Sequence, residues 1–238
     1  MLPARLYAQS AQWPPFTVHG NDRGPTLIVV NGGNTQFTPD IVSPLTDRYR
    51  IVLMNSEAAT PWPAEDHTAD RVSNAILSAA TAAGVDRFAY YGYSFGAVMA
   101  LQVAVRSRRV EALICGGWPP LGAQYRETLA VTEVRGARGE GLQARAFYRS
   151  IAGWPEREAV TKLTCARMVF AGTEDRFDVD GQRIRIGPTV AEHKDELQRL
   201  GWRVEMLSGY NHSLGARADV IVPLLRQFLD SVTSTPRA

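Results

Sequence analysis

The segment Gly92–Gly96 reads G-Y-S-F-G, a pattern that can present a serine as a nucleophile. Ser94 stands where an apolar strand-like segment over 87–91 gives way to an apolar helical segment over 95–107. A serine in such a sharp turn is exposed for attack on a carbonyl carbon. Because strand and helix nearly touch there, the residues two before and two after the serine must be small, and both are glycine. The simpler interpretation of the same pattern is a glycine turn between a strand and a helix.

Short apolar, β-branched segments alternate with longer helical ones around this turn. Strands are predicted over 26–30, 50–55, 87–93, 112–117, 166–172 and 202–209, and helices over 68–83, 95–107, 190–200 and 219–233. An antiparallel edge hairpin is expected between Arg5 and Val18. Strands that alternate with helices indicate βαβ crossovers. The predicted fold class is therefore α/β, with a mostly parallel central sheet and helices on both faces.

One interval interrupts the alternation. Residues 122–162 are too long for a simple connection between strands, and they contain helical patterns over Tyr125–Val131 and Leu142–Ile151. We expect these residues to form a small helical cap over one end of the sheet. The cap is an insertion into a single domain that spans residues 1–238, and we do not expect a second domain.

The serine turn and the order of the elements resemble the α/β-hydrolase family over roughly residues 20–230. The resemblance implies an α/β-hydrolase fold and a catalytic triad in the chain order serine, acid, histidine. It implies an acid after the strand that follows the cap, where Asp175 lies three residues past Gly172. Nearby carboxylates that compete for this role are Glu174, Asp178 and Asp180. A loop carboxylate that only caps a turn is the alternative interpretation of Asp175.

The same resemblance implies a histidine just past the last strand. His212 lies there in the glycine-containing segment S-G-Y-N-H. The other three histidines fit less well: His19 precedes the sheet, His67 lies in a polar turn before a helix, and His193 is expected on the solvated face of a charged helix. His212 is therefore the predicted general base.

The family resemblance further implies an oxyanion hole made of two backbone amides. One belongs to the residue after the nucleophile, Phe95, and the other to the glycine turn N-G-G-N that follows the first predicted strand. Most family members carry His-Gly at this turn, whereas this chain has Asn31 in place of that histidine. The second donor is therefore Gly33 or Asn34, and we favour Gly33. Loss of one such donor typically costs about 3–4 kcal/mol of transition-state stabilisation.

Aromatic residues near the carboxyl ends of the predicted strands could line a substrate pocket. Trp118 directly follows the strand over 112–117 and precedes two prolines, so we expect a rigid aromatic wall near Ser94. The weaker candidates are Phe37, Phe147, Tyr148, Trp154 and Phe177. If these residues line the pocket, the acyl or leaving group is largely apolar. Aromatic residues at helical spacing also fill cores, which is the alternative.

The interval 106–149 is rich in arginine. It holds eight arginines (106, 108, 109, 126, 135, 138, 145 and 149) and four glutamates (111, 127, 133 and 140). This surplus could favour an anionic substrate, or a thioester carried on a phosphopantetheine arm. A solvated helical face in an arginine-rich protein accounts for the same composition.

Composition excludes several classes of protein. The 238 residues carry a formal net charge of +2, with basic and acidic residues interleaved, which is not a nucleic-acid footprint. No apolar segment reaches the ~18–20 residues of a membrane helix, and the first residues lack a secretory apolar stretch. Cys115 and Cys165 are too far apart in the predicted sheet for a disulfide, and no cysteine–histidine spacing suggests zinc. We expect a cytoplasmic protein without metal or organic cofactor; the sequence leaves the oligomeric state open.

Three functions fit these observations. The first is a serine hydrolase that cleaves a small carboxylic ester or lactone through an acyl-enzyme. The second is an acyl-thioesterase, acyltransferase or cyclase of a biosynthetic pathway, which shares the triad and differs in what attacks the acyl-enzyme. The third is a non-catalytic protein that binds a small molecule on this fold. A nucleophile-position aspartate, as in haloalkane dehalogenases and epoxide hydrolases, is excluded by Ser94.

Overall fold

The computed structural model describes residues 5–7, 13–31, 39–56, 58 and 60–233. The strands are β1 Arg5–Tyr7, β2 Phe16–Gly20, β3 Thr26–Asn31, β4 Arg50–Asn55, β5 Phe88–Tyr93, β6 Val110–Gly116, β7 Ala166–Gly172, β8 Arg176–Val179, β9 Gln182–Arg185 and β10 Trp202–Leu207. Eight of them form one sheet in the order β1-β2-β4-β3-β5-β6-β7-β10. The six strands from β4 to β10 in that order are parallel, and β1 and β2 are the antiparallel edge. The predicted fold class and the predicted edge hairpin are both confirmed.

Helices cover both faces of the sheet. They are α1 Pro39–Leu45, α2 Ala69–Ala82, α3 Phe95–Arg106, α4 Tyr125–Ala137, α5 Leu142–Ile151, α6 Glu156–Thr161, α7 Ile186–Glu192, α8 Lys194–Arg199 and α9 Ala218–Thr233. Within the part of the chain that the structure describes, none of these helices has the length and apolar character needed to cross a membrane.

Strand β3 shows how the sequence divides the core. Its residues are apolar without a break, and successive side chains point to opposite faces of the sheet. Ile28 packs into the cluster that includes α2 and α3, whereas Leu27 packs into the cluster that includes α1 and α9. Both side chains have 0% exposure. A strand buried on both faces requires a continuous apolar segment, which is why such segments predicted the parallel strands correctly.

Two features between β7 and β10 differ from the prediction. The single helix expected over 190–200 is two short helices, α7 and α8, because the backbone of His193 (φ −101°, ψ 8°) leaves the helical region between them. In addition, β8 and β9 form an antiparallel hairpin that was not predicted. Its turn residues Asp180 and Gly181 have φ values of 47° and 78°, and Asp-Gly is a favoured pair for such a two-residue turn. That dipeptide could have revealed the hairpin.

The interval over 122–162 carries α4, α5 and α6, and α4 packs against both α5 and β9. The side-chain amide of Gln124, just before α4, binds the backbone of β9 both as a donor and as an acceptor. Its Nε2 donates to the Arg183 carbonyl at 3.0 Å, and its Oε1 accepts the Arg185 amide at 2.6 Å. Arg135 of α4 pairs with Asp180 at the hairpin turn at 3.0 Å. These helices and the β8–β9 hairpin therefore form one connected layer.

Glu156, the first residue of α6, is expected to make stability depend on pH. Its carboxylate accepts the Gly122 amide at 2.7 Å, and burial raises the pKa of Glu156 from 4.5 to about 7. The folded state therefore keeps a proton that the unfolded chain releases, so the free energy of unfolding falls as pH rises from about 4.5 to 7. Between pH 5 and pH 8, Glu156→Gln should therefore lose less free energy of unfolding than the wild type. Urea unfolding of both proteins at the two pH values measures this difference.

Glu158→Gln, two residues further along α6, is the matched control. Glu158 is exposed, and Lys162 lowers the pKa of that carboxyl, so its substitution leaves the loss of stability above pH 5 in place. If the wild type and Glu156→Gln lose equal stability between pH 5 and pH 8, the assignment of this pH dependence to Glu156 is wrong.

Candidate active site

Ser94 occupies the turn between β5 and α3 in a strained conformation. Its φ of 53° and ψ of −121° lie where an L-residue is rarely found. A Cβ atom on Gly92 would lie 2.1 Å from the Gly96 carbonyl oxygen, so strand and helix touch here as the small-residue pattern predicted. The Ser94 amide remains in the sheet and donates to the Gly116 carbonyl at 2.8 Å. The parallel sheet therefore supports the turn that presents the serine.

Ser94, His212 and Asp175 form a continuous chain of hydrogen bonds. The Ser94 Oγ lies 2.9 Å from His212 Nε2, and His212 Nδ1 lies 3.0 and 3.1 Å from the two carboxylate oxygens of Asp175. The loops that carry them follow β5, β10 and β7, which all end at the same edge of the sheet. The Asp175 side chain has 0% exposure. The structure thus brings together the three side chains predicted from the sequence.

Hydrogen bonds connect the loop that carries Asp175 to the loop that carries His212. The Thr173 amide donates to the Leu207 carbonyl at 2.9 Å, and Thr173 Oγ1 accepts the Gly209 amide at 3.0 Å. The Glu174 amide donates to the Tyr210 carbonyl at 2.9 Å. These bonds hold Asp175 and His212 beside each other although they follow different strands.

The histidine itself begins a short 3-10 helix, His212–Ala216. The side chain of Asn211 caps this helix by accepting the Ser213 amide at 2.9 Å. The ring of Phe177, on β8, lies against the His212 ring with 5.1 Å between centroids. The imidazole is therefore oriented by its carboxylate partner, by the helix cap and by an aromatic neighbour.

The competing carboxylates are engaged elsewhere. Asp178 pairs with Arg183 at 2.8 Å, and Asp180 pairs with Arg135 at 3.0 Å. In each case the arginine lowers the pKa of the carboxyl, so both side chains are stable surface anions. Glu174 pairs with Arg176 at 3.2 Å. Among the candidate acids, Asp175 is the one bound to His212.

The other histidines lie away from this chain of hydrogen bonds, and two of them differ from the prediction. His67 is buried at 3% exposure against Trp13 and Trp62, and burial lowers the pKa of its imidazole. His193 is half-buried, with its Nδ1 3.0 Å from the Thr189 carbonyl, so it does not lie on a solvated helix face. The contact of His67 with Trp13 joins segments remote in the sequence, so the local polarity did not reveal that this histidine is buried.

Phe95 places one candidate oxyanion donor beside Ser94. Phe95 is the first residue of α3, so its amide has no carbonyl one turn earlier to bind, and the positive end of the helix dipole adds to its field. The predicted second donor, Gly33, lies outside the described residues, as does the alternative Asn34. The predicted pocket residue Phe37 also lies outside them.

Four of the aromatic candidates, Trp118, Phe147, Tyr148 and Trp154, lie in one cluster between α3 and the helices of 122–162. Phe147 packs edge-on against Phe95 with 5.0 Å between centroids, and Tyr148 lies between Phe95 and Trp118. Trp154 packs against Tyr125, which also contacts Trp118. Phe147 and Trp118 are 1% and 4% exposed, so their rings belong to the core, and the partly exposed rings are those of Phe95, Trp154 and Phe177.

Five arginines of the 106–149 interval are bound within the fold. Arg106 pairs with Asp70, Arg149 pairs with Glu133, and Arg135 and Arg138 both pair with Asp180. The guanidinium of Arg109 donates to backbone carbonyls, including that of Leu77 at 3.0 Å. Five of the eight arginines in this interval therefore form ion pairs or hydrogen bonds within the fold.

Comparison with known proteins was made at the levels of sequence and fold. No protein-family model matches the chain. It is 31% identical over 188 residues to the Klebsiella pneumoniae protein named "Putative carbamate hydrolase RutD", which covers 72% of this chain and 66% of that protein. The Enterobacter cloacae protein of the same name is 27% identical over 169 residues, which is 64% of this chain and 61% of the relative. The chain thus matches less than two thirds of the length of these relatives.

Solved structures match almost the whole chain. An N-acyl homoserine lactonase, AidH, has a TM-score of 0.71 at 13% identity, with 99% of this chain and 100% of that chain covered. The carboxylesterase CesB of Bacillus subtilis has a TM-score of 0.67 at 13% identity, with 97% and 93% covered. An α/β-hydrolase from a lagoon-sediment metagenome has a TM-score of 0.70 at 14% identity, with 96% and 98% covered. The sheet order and these likenesses confirm the predicted fold, and the chain has the α/β-hydrolase fold.

Proposed function

We propose that the protein is a serine hydrolase that cleaves a small, largely apolar carboxylic ester or lactone through an acyl-enzyme on Ser94. The observation that carries this proposal is the hydrogen-bonded chain Ser94–His212–Asp175, with 2.9 Å between the serine and the imidazole. A serine hydroxyl is a weak nucleophile at neutral pH and needs a base within hydrogen-bond reach to take its proton.

In the first half-reaction, Ser94 Oγ bonds to the carbonyl carbon while its proton passes to His212 Nε2. Asp175 holds the imidazole with its proton on Nδ1 and stabilises the imidazolium that forms. The negative charge on the former carbonyl oxygen is stabilised by the Phe95 amide and by a second amide, proposed to be that of Gly33. The leaving alkoxide then takes the proton from Nε2, which leaves an acyl group on the serine.

In the second half-reaction, His212 removes a proton from water as the water oxygen bonds to the acyl carbon. Collapse of the second tetrahedral intermediate returns the proton to Ser94 and releases the carboxylic acid. A lactone follows the same steps, but its leaving hydroxyl stays tethered to the product. The partly exposed rings of Phe95, which directly follows Ser94, and of Phe177, which lies against His212, favour an apolar acyl group.

A carbamate is the second candidate substrate, because the sequence relatives are named for carbamate hydrolysis. A carbamate carbonyl can undergo the same attack by Ser94, with carbamate oxygen or nitrogen as the leaving group. Initial rates on matched p-nitrophenyl butyrate and p-nitrophenyl N-methylcarbamate compare the two candidates. A higher kcat/KM on the ester supports the first, and a higher kcat/KM on the carbamate supports the second.

The acyl-thioester alternative rests on the arginine-rich interval. It has less support, because five of those eight arginines are bound within the fold. A kcat/KM on a short acyl-thioester that exceeds the value on the corresponding aryl ester would reverse this preference.

Covalent labelling with a fluorophosphonate tests the proposal directly. We expect one adduct per chain on Ser94, located by intact mass and peptide mapping, because the reagent reacts with activated serines. Ser94→Ala and His212→Ala should abolish it, the first by removing the nucleophile and the second by removing the base.

Ser78→Ala is the matched control, because Ser78 is exposed on α2 and lies away from the site. It should label like the wild type. A folded wild-type protein that forms no adduct would contradict the proposal and would favour a ligand-binding protein without turnover.

A further inference from the structure

Tyr93, the residue before the candidate nucleophile, reaches from the serine turn to the loop of the histidine. Its Oη donates a hydrogen bond to the backbone carbonyl of His212 at 2.9 Å. Its ring lies beside the His212 ring, with 5.4 Å between centroids. The side chain is 9% exposed. Tyr93 is bonded covalently to Ser94 and by a hydrogen bond to the backbone of His212, 119 positions further along the chain than Tyr93. It therefore links the proposed nucleophile to the proposed base.

The backbones of three glycines, Gly116, Gly117 and Gly215, pack against the Tyr93 ring. A Cβ atom added to them would lie 2.7 Å from Tyr93 Cδ2, 2.6 Å from Tyr93 Cζ and 2.6 Å from Tyr93 Cε1, respectively. Gly116 ends β6 and Gly117 directly follows it, and Gly215 belongs to the 3-10 helix that His212 begins. The absence of side chains at these positions lets the two segments clamp the ring, so the direction of its hydroxyl is fixed.

The hydroxyl of Tyr93 is suited to act as a permanent donor. Burial, together with the nearby negative charge of Asp175, raises the pKa of Tyr93. The phenol therefore keeps its proton at any pH at which the enzyme would work. The bond to the His212 carbonyl does not depend on the protonation state of the imidazole, so it persists when His212 takes the proton of Ser94.

We infer that Tyr93 is a positioning residue that holds the His212 backbone at the distance from Ser94 that proton transfer requires. This inference rests on the proposed function. Asp175 orients the imidazole ring through its contacts with Nδ1. Tyr93 instead fixes the position of the His212 backbone, from which that ring extends. Tyr93 ends β5 and Ser94 directly follows it, so the hydrogen bond of Tyr93 couples the serine turn to the histidine loop.

Tyr93→Phe tests the inference, because it removes one oxygen atom and keeps the ring between the glycines. We expect the rate of fluorophosphonate labelling and kcat per titrated active site to fall about tenfold, which corresponds to the loss of one hydrogen bond. KM should be unchanged, since the hydroxyl faces the histidine loop. Hydrogen–deuterium exchange of peptides covering residues 209–217 should become faster.

Tyr91→Phe is a matched control two residues earlier on the same strand. Tyr91 is 3% exposed, its ring stacks on Phe170, and its buried hydroxyl has no hydrogen-bond partner among the residues that the structure describes. Loss of that oxygen should leave labelling, kcat and exchange of residues 209–217 at wild-type values. A general effect of losing a buried tyrosine hydroxyl would instead appear in both variants and would overturn the inference.

The exchange measurement separates this inference from the proposed function. If the wild type takes no fluorophosphonate, the proposed function fails, and faster exchange of 209–217 in Tyr93→Phe still supports the positioning contact. Unchanged labelling and unchanged exchange in Tyr93→Phe would overturn the inference.

Gly215→Ala is a second variant, and it perturbs the same contact from the histidine loop. Its new Cβ would lie 2.6 Å from the Tyr93 ring, so it should also lower kcat without raising KM.

Discussion

Asp175→Asn should lower kcat about 10⁴-fold while the protein stays folded. The buried carboxylate accepts a hydrogen bond from His212 Nδ1, which lies 3.0 and 3.1 Å from its two oxygens. An asparagine amide in its place can donate to Nδ1, which favours the tautomer with its proton on Nε2. That tautomer cannot accept the Ser94 proton, and the imidazolium also loses its stabilising charge. The measurement is kcat on an aryl ester, with sites counted by fluorophosphonate titration.

Asp178→Asn is the control for this prediction. Asp178 lies three residues further along, on β8, where it pairs with Arg183 and has 68% side-chain exposure. It does not contact His212, so kcat should stay at the wild-type value. Near-wild-type kcat in Asp175→Asn, or equal losses in the two variants, would show that Asp175 does not act through His212.

Gly92→Ala should destabilise the fold by about 3 kcal/mol or more. The new methyl group would lie 2.1 Å from the Gly96 carbonyl oxygen and 2.6 Å from the Ala97 nitrogen. Both are backbone atoms of the helix that follows Ser94, so neither can rotate away, and β5 and α3 must separate. For a chain of this size each kcal/mol lowers Tm by about 2–4 °C, so we expect a fall of roughly 6–12 °C in a thermal unfolding scan.

Gly153→Ala makes the same chemical change at a position without that constraint. No atom of the described part of the chain lies within 4 Å of the Cβ that alanine would add there, and the φ of Gly153 is outside the left-handed region that favours glycine. Its Tm should equal or slightly exceed that of the wild type, because alanine restricts the unfolded chain. A Tm for Gly92→Ala within a degree or two of the wild type would mean that strand and helix can part at little cost.

Much of the fold could be predicted because a parallel sheet leaves local traces. Strands such as β3 are buried on both faces, so their segments are apolar without a break, and the helices between them follow from spacing. The β8–β9 hairpin leaves a weaker trace. Each strand has only four residues, β9 has a single apolar one, Ile184, and the Asp180–Gly181 turn is the clearest signal of the hairpin. Where the predicted 190–200 helix splits, the His193 ring lies against the backbone of Gly122, which is remote in the sequence: a Cβ atom on Gly122 would lie 2.4 Å from His193 Cε1.

The candidate site was predicted in its members but not in its geometry. The order of serine, acid and histidine along the chain pointed to Ser94, Asp175 and His212. Of several carboxylates near the end of β7, however, the one that binds His212 could be selected from sequence only by its likeness to a family. The structure distinguishes them because arginines bind Asp178 and Asp180 on the surface, while Asp175 is buried.

The sequence by itself determined the class of the fold, the strained serine turn and the loops that had to carry the acid and the base. Those features depend on residues within a few positions of one another, so local spacing and side-chain size encode them. Only the tertiary structure decided which rings fill the core and how Tyr93 reaches the His212 carbonyl, a contact 119 residues apart. Tyr93 occupies a variable position of the G-x-S-x-G pattern, so its role depends on the backbone that the folded sheet brings beside it.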